Sequence, residues 1–266
     1  GEVETLEHMQ DRGVSVTVLI GRRKGQASSA DLRPETIAAC VFSPSFGNPL
    51  GHCMPDAARR RLVTELSARQ IPLIEDDVYG DLCFDGARPV PAQFLGGRAR
   101  IITCGSFSKT AAPGYRIGWV VTGDYIDRVK RLKRAFSCTS GLLQQLTLAD
   151  FLATGDYARH LKALRPVLRQ NAERMTALVA EHFPADTRIS KPVGGAVLWL
   201  ELPGNVDTEA LFDEAIEAGI SITPGHIFSP CSCYTNFLRL SYGHPWTAQT
   251  EDAMRWLGKR VTELAA

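Results

Sequence analysis

Apolar residues recur at two spacings along this chain, and the alternation between them lays out its elements. Residues 14–20 (Val-Ser-Val-Thr-Val-Leu-Ile) are rich in β-branched side chains and read as a strand, and the turn formers of residues 21–29 read as the loop that follows. Ahead of them, Val3, Leu6 and Met9 fall at helical spacing. Residues 38–42 predict a further strand, residues 48–51 (Asn-Pro-Leu-Gly) a turn, and residues 55–69 a helix with Pro55 at its first position and Leu62 and Leu66 on its buried face. Residues 71–74 read as a short strand running into three acids, Glu75, Asp76 and Asp77, and residues 101–104 as another strand. Helical periodicity then runs through residues 141–182, broken only by Gly155 and Pro166. Beyond it, strands at 196–202, 220–223 and 237–240 are separated by helical segments at 208–218 and 247–264.

Strands that alternate with helices over short loops predict an α/β fold, a mostly parallel sheet flanked by helices, with functional groups at the strand ends. The expected division is a large domain over residues 1–140, a connecting helical segment over 141–182 and a smaller α+β C-terminal domain over 183–266. With 266 residues, 44% of them hydrophobic, the chain has enough apolar surface to build ordered cores, so disorder is not the default. A formal net charge of +1 argues against a nucleic-acid-binding face within these residues. The basic cluster Lys130, Arg131, Lys133 and Arg134 accordingly reads as a solvated helix face. No apolar run approaches the ~18 residues of a membrane span and no signal peptide precedes the first strand, which predicts a soluble, cytoplasmic protein. The seven cysteines are odd in number and lack C-x-x-C spacing, which fits a reducing compartment. Cys231 and Cys233 have no second pair or histidine cluster with which to hold a metal. The chain opens on Gly1 and runs at once into a helical pattern, as a piece cut from something longer would.

Chemistry concentrates at residues 105–119 (Gly-Ser-Phe-Ser-Lys-Thr-Ala-Ala-Pro-Gly-Tyr-Arg-Ile-Gly-Trp), read as strand, loop and strand. Ser106, Ser108, Lys109 and Arg116 put two hydroxyls, an amine and a guanidinium in one short segment, the donors a phosphorylated aldehyde cofactor needs. Alone, Lys109 would read as a surface lysine, Asn48-Pro49 as a common turn, and Glu75, Asp76 and Asp77 as an acidic turn in solvent. Asp76 with Tyr79 three residues on is a weak signal by itself, and gains weight from the later Ser-x-Ser-Lys with an arginine seven residues after the lysine. Arg239 lies in an otherwise apolar strand, where an arginine needs an anionic partner, either a ligand or an internal acid. Trp199 and Phe228 read as core, and none of the six histidines has a partner at metal spacing.

Taken together, residues 48–51, 74–80, 105–119, 194–199, 224–228 and 238–241 resemble the fold-type I pyridoxal phosphate enzymes, the aspartate aminotransferase superfamily, and within it the aminotransferase-like domain of the MocR subfamily of GntR-type transcription regulators. The resemblance implies a pyridoxal 5′-phosphate cofactor held by Lys109 as a Schiff base, with Asp76 at the pyridine nitrogen, Tyr79 and Asn48 at the ring hydroxyl, and Ser106, Ser108 and Arg116 around the phosphate. Gly114 would let the backbone approach closely, and Pro49 would fix a turn that can be cis. Arg239 would grip the carboxylate of an amino acid or 2-oxo acid. The same resemblance implies a homodimer, a DNA-binding winged helix-turn-helix domain further upstream, and a missing first part of the large domain. Three functions follow as alternatives: an effector-sensing regulator domain, a free-standing class I/II aminotransferase, and a scaffold that binds no cofactor.

Overall fold

A four-stranded sheet carries the segment singled out above. The computed structural model describes residues 7–8, 14–20, 23–28, 39–86, 88–96, 100–229 and 233–266. The first described strands, β1 (Glu7–His8), β2 (Val14–Ile20) and β3 (Arg23–Ser28), form an antiparallel sheet in the order β1-β2-β3. The expected strand at 14–20 is therefore present, but the expected loop at 21–29 is largely strand. Ile20 pairs with Arg23 and Val16 with Ala27, so the second strand draws its pairing from the first. The helix expected around Val3, Leu6 and Met9 lies outside the described residues, apart from Glu7 and His8, which are strand.

The chain divides into two compact units, Gly1–Gly47 with Cys53–Cys83 and Ala87–Lys162, and Asn48–His52 with Phe84–Gly86 and Ala163–Ala266. In the first unit β4 (Cys40–Phe42), β5 (Leu73–Asp76), β6 (Ile101–Ser106) and β7 (Gly118–Val121) follow one another in spatial order, the first three parallel and β7 antiparallel. The crossover from β4 to β5 is α1 (Asp56–Ala68), with Pro55 at its N-cap, one position earlier than expected. Its buried residues Arg59, Val63 and Leu66 share one helical face, and Val63 and Leu66 join Cys40, Phe42, Ile71, Leu73, Ala92 and Leu95 in the core, with Leu62 packed at its margin.

Arg59 is enclosed there without an open charge. It donates to the carbonyls of Val90 (2.8 Å) and Pro44 (3.2 Å) and lies 4.0 Å from Glu75. Glu75 in turn accepts from the Ala92 N–H and the Thr103 hydroxyl, each at 3.0 Å, so removing either charge would strand the other at a cost of about 3–5 kcal/mol. At the opposite edge, Gly105 of β6 faces Trp119 of β7 across the ladder, and a Cβ on Gly105 would come within 2.2 Å of the indole. The first unit continues through α2 (Ile126–Ser137) and α3 (Leu142–Ala153). Lys130, Arg131, Lys133 and Arg134 are all exposed on α2, the solvated face expected of them.

Helix α4 (Asp156–His182) begins after Gly155, whose φ of 77° ends the preceding helical run, and it contains Pro166 in its interior. In the second unit β8 (Arg188–Ile189), β9 (Val197–Glu201), β10 (Thr223–Pro224) and β11 (Phe237–Ser241) make an antiparallel sheet in the order β10-β11-β9-β8. The strand expected at 220–223 starts later, because the Ile220 N–H donates to Ala215 O (2.7 Å) and closes off α5 (Thr208–Glu217). Asp207 caps α5 through the Glu209 N–H (2.9 Å), and Thr247 caps α6 (Ala248–Ala265) through the Thr250 N–H (3.3 Å). Leu198, Leu200 and Leu238 are wholly buried in this sheet. Trp199 is buried too, edge-on to Phe228 at 5.5 Å and stacked on Phe237, which agrees with its reading as core. Among the described residues no helix is long and apolar enough to cross a membrane, no group of side chains could hold a metal ion, and Cys40, Cys53, Cys83, Cys104, Cys138 and Cys233 are free thiols. Cys231 lies outside the described residues.

Candidate functional site

Two strand ends build the site in the first unit. Asp76 is the last residue of β5, in register with Cys104 of β6, so its carboxyl leaves the sheet two residues short of the point where Ser106 ends β6. Strand alternation sends its neighbours elsewhere: Glu75 goes into the core beside Thr103, and Asp77 is buried against Arg88. The acidic turn in solvent is thereby excluded for Glu75 and Asp77. Asp76 itself is half-buried, and burial pushes its carboxyl above the usual carboxylate range while the Val78 N–H, 3.3 Å from Oδ1, pulls it back. Such a carboxylate gains from a cationic partner.

The loop from β6 to β7 holds the donors. The Ser106 hydroxyl accepts from the Ser108 N–H (3.1 Å), and the Ser108 hydroxyl accepts from the Arg116 guanidinium (3.2 Å). Arg116 adopts left-handed backbone angles (φ 54°, ψ 37°), which turn its side chain back toward the serines. Ala111 and Ala112 N–H groups both donate to Phe107 O (2.9 Å), and Phe107 N–H donates to Ile117 O (3.1 Å), so the loop is pinned by its own backbone. Lys109 is exposed at its outer side, with Nζ 5.9 Å from the centre of the Tyr79 ring. A Cβ on Gly114 would meet no protein atom within 4 Å, so no close approach within the chain requires glycine there.

The second unit carries the remaining two residues. The Arg239 guanidinium donates to Asn48 Oδ1 (2.9 Å) and Thr223 Oγ1 (2.8 Å), and lies 5.6 Å from the centre of the Phe228 ring. The Asn48–Pro49 peptide bond is cis. Asn48 is thus a partner of Arg239, a contact the spacing of the sequence gave no hint of. Thr223 and Tyr157 do not stand out in the sequence, since their partners Arg239 and Asp81 lie 16 and 76 residues away, and no local pattern picks out Asp77 and Asp81 as the partners of Arg88.

These donors suit a phosphorylated pyridine aldehyde: two hydroxyls and a guanidinium for an anionic group, an amine for a carbonyl, and a half-buried carboxylate for a ring cation. The comparisons with known proteins agree. The family model for aminotransferase class I and II matches residues 26–255. The chain belongs to that family. It is 34% identical over 225 residues to the uncharacterized HTH-type transcriptional regulator YjiR of Escherichia coli, covering 85% of this chain and 48% of that one. It is 32% identical over 228 residues to the 2-aminoadipate transaminase of Thermus thermophilus, covering 84% and 57%. Its fold matches a solved α-aminoadipate aminotransferase of Thermus thermophilus, complexed with N-(5′-phosphopyridoxyl)-L-leucine, with a TM-score of 0.75, 29% identity, and 85% and 58% of the two chains covered. The chain therefore spans about half the length of the curated relatives it matches. The expected pyridoxal phosphate transferase fold holds, and pyridoxal 5′-phosphate is the cofactor that family membership and this structural neighbour support.

Proposed function

We propose that this chain is the pyridoxal 5′-phosphate-binding, aminotransferase-like part of a GntR/MocR-type transcription regulator, and that it senses an amino acid or a related 2-oxo acid. The observation that carries the reading is the 34% identity to an HTH-type regulator over 85% of the chain, joined to the Ser106, Ser108, Lys109 and Arg116 cluster beside Asp76. When bound, the cofactor supplies a carbonyl that condenses with amines and a ring that withdraws electrons from the carbon bearing the amino group. Ser106, Ser108 and Arg116 hold its phosphate with short, charge-assisted hydrogen bonds. Asp76 keeps a proton on the pyridine nitrogen, and Tyr79 and Asn48 serve the ring oxygen. Lys109 would hold the cofactor through its amine, and the free amine would be placed to carry a proton to or from the α-carbon of an amino ligand. Arg239 orients the ligand carboxylate. In this reading the parent protein is a cytoplasmic homodimer, and contacts with DNA belong to a separate upstream domain.

The 32% identity to a 2-aminoadipate transaminase favours a second reading, a free-standing aminotransferase acting between an amino acid and a 2-oxo acid. One experiment on the full-length protein addresses both. Borohydride reduction followed by mass analysis should leave the cofactor on the Lys109 peptide, and Lys109→Ala should abolish the adduct completely. An adduct on another lysine, or none in the wild type, would sink the reading. Steady turnover of amino donors with 2-oxoglutarate would transfer the preference to the transaminase.

A further inference from the structure

We propose that Tyr157 and Arg88 are positioning residues for the candidate cofactor site, forming a brace that holds the turn carrying Asp76 and Tyr79 in register with the loop carrying Lys109. The inference rests on the reading of those three residues given above. Arg88 donates through Nε to Asp81 (2.7 Å) and through its other arm to Asp77, whose side chain is 0% exposed. Asp77 and Asp81 lie on either side of Tyr79, so one guanidinium clamps both ends of the turn that presents the phenol. The clamp is tight: a Cβ at Gly80 would come within 2.3 Å of Asp77 Oδ1, so the turn closes around the carboxylate only with glycine there.

The second oxygen of Asp81 accepts from the Tyr157 hydroxyl at 2.8 Å, across 76 residues of sequence. Tyr157 stands in the first turn of α4, and its ring meets Phe107 edge-on, with centroids 5.8 Å apart. Phe107 sits between Ser106 and Ser108 and its carbonyl accepts the two N–H groups that pin the loop. One turn further along α4, a ring nitrogen of His160 donates to the carbonyl of Thr110 at 2.9 Å, the residue next to Lys109. The start of α4 thus touches both halves of the site, with a charged chain on one side and an aromatic and carbonyl contact on the other. The hydrogen bonds of the brace run to protein acceptors, so its effect is on geometry.

Tyr157→Phe in the full-length protein keeps the ring and removes one hydroxyl. We expect pyridoxal phosphate to bind about tenfold more weakly, the pH titration of the cofactor absorbance band to shift, and amide exchange across residues 107–112 of the apo protein to quicken. Arg88→Gln should act in the same direction and more strongly, with Arg88→Lys recovering part of the loss. Should Arg88→Gln fail to fold because it strands two acids, Tyr157→Phe carries the test alone. Wild-type affinity, titration and exchange in Tyr157→Phe, or a lowered Tm with all three unchanged, would overturn the brace while leaving the cofactor reading intact. A wild-type protein that takes up no cofactor would overturn both.

Discussion

The two units present their candidate groups in opposite ways. In the first, Ser106, Ser108, Lys109 and Arg116 hang on a loop that is half-exposed to fully exposed and pinned mostly by its own backbone. In the second, Arg239 projects from the middle of β11, between wholly buried Leu238 and buried Leu240, and is held by Asn48 and Thr223 from elsewhere in the chain. A loop site is built by local chain geometry and leaves its side chains free of the core; a strand site is built by packing. Substitutions should therefore separate function from stability in the first unit and couple them in the second.

The largest expected effect tests that coupling. Leu238→Ala removes a wholly buried side chain next to Arg239 and should cost about 2–5 kcal/mol in denaturant unfolding, together with a loss of carboxylate affinity. Lys109→Ala, on the exposed loop, should move stability by no more than about 0.5 kcal/mol. Equal losses from the two would erase the contrast. Thr223→Val comes next: it keeps the shape but removes the acceptor 2.8 Å from the guanidinium, and calorimetric titration of the cofactor-loaded protein with 2-oxoglutarate should give affinity about tenfold lower. Unchanged affinity would mean that β11 and Asn48 orient Arg239 without Thr223.

The smallest effect concerns Asp76. Burial holds its carboxyl above its unfolded value, so the folded apo protein keeps a proton that the unfolded chain gives up, and stability falls as pH rises from about 4 through the raised value. Glu75 and Asp77 contribute with the same sign, each raised first by burial. Asp76→Asn should flatten part of this slope and raise the apo Tm above that range by at most a few degrees, since 1 kcal/mol is worth about 2–4 °C in a chain of this size. A Tm that drops instead would show that the charged form is stabilised by contacts the fold itself supplies.

The same contrast explains what could be read in the sequence. The loop donors fall within one run from Ser106 to Arg116, so spacing alone suggested their company, and the strands leading to them announced themselves by apolar runs. Arg239 stood out only as a charge in an apolar strand; Asn48 and Thr223, 191 and 16 residues away, could not be attached to it by any local pattern. Arg59 hid in plain view among Arg60 and Arg61, because composition does not tell which of three consecutive arginines turns inward. Strand β3 reads as loop in the sequence because Arg23, Lys24, Gly25 and Gln26 have weak strand propensity, and pairing with β2 supplies what propensity does not.

Trp119, lying across Gly105 at the root of the Ser106 loop, has one more consequence. Of the four tryptophans it alone borders that loop in sequence and in the ladder, so its fluorescence is a natural optical gauge of the loop. With Trp199, Trp246 and Trp256 replaced by phenylalanine, quenching of the remaining indole would report cofactor arrival in real time without any added label.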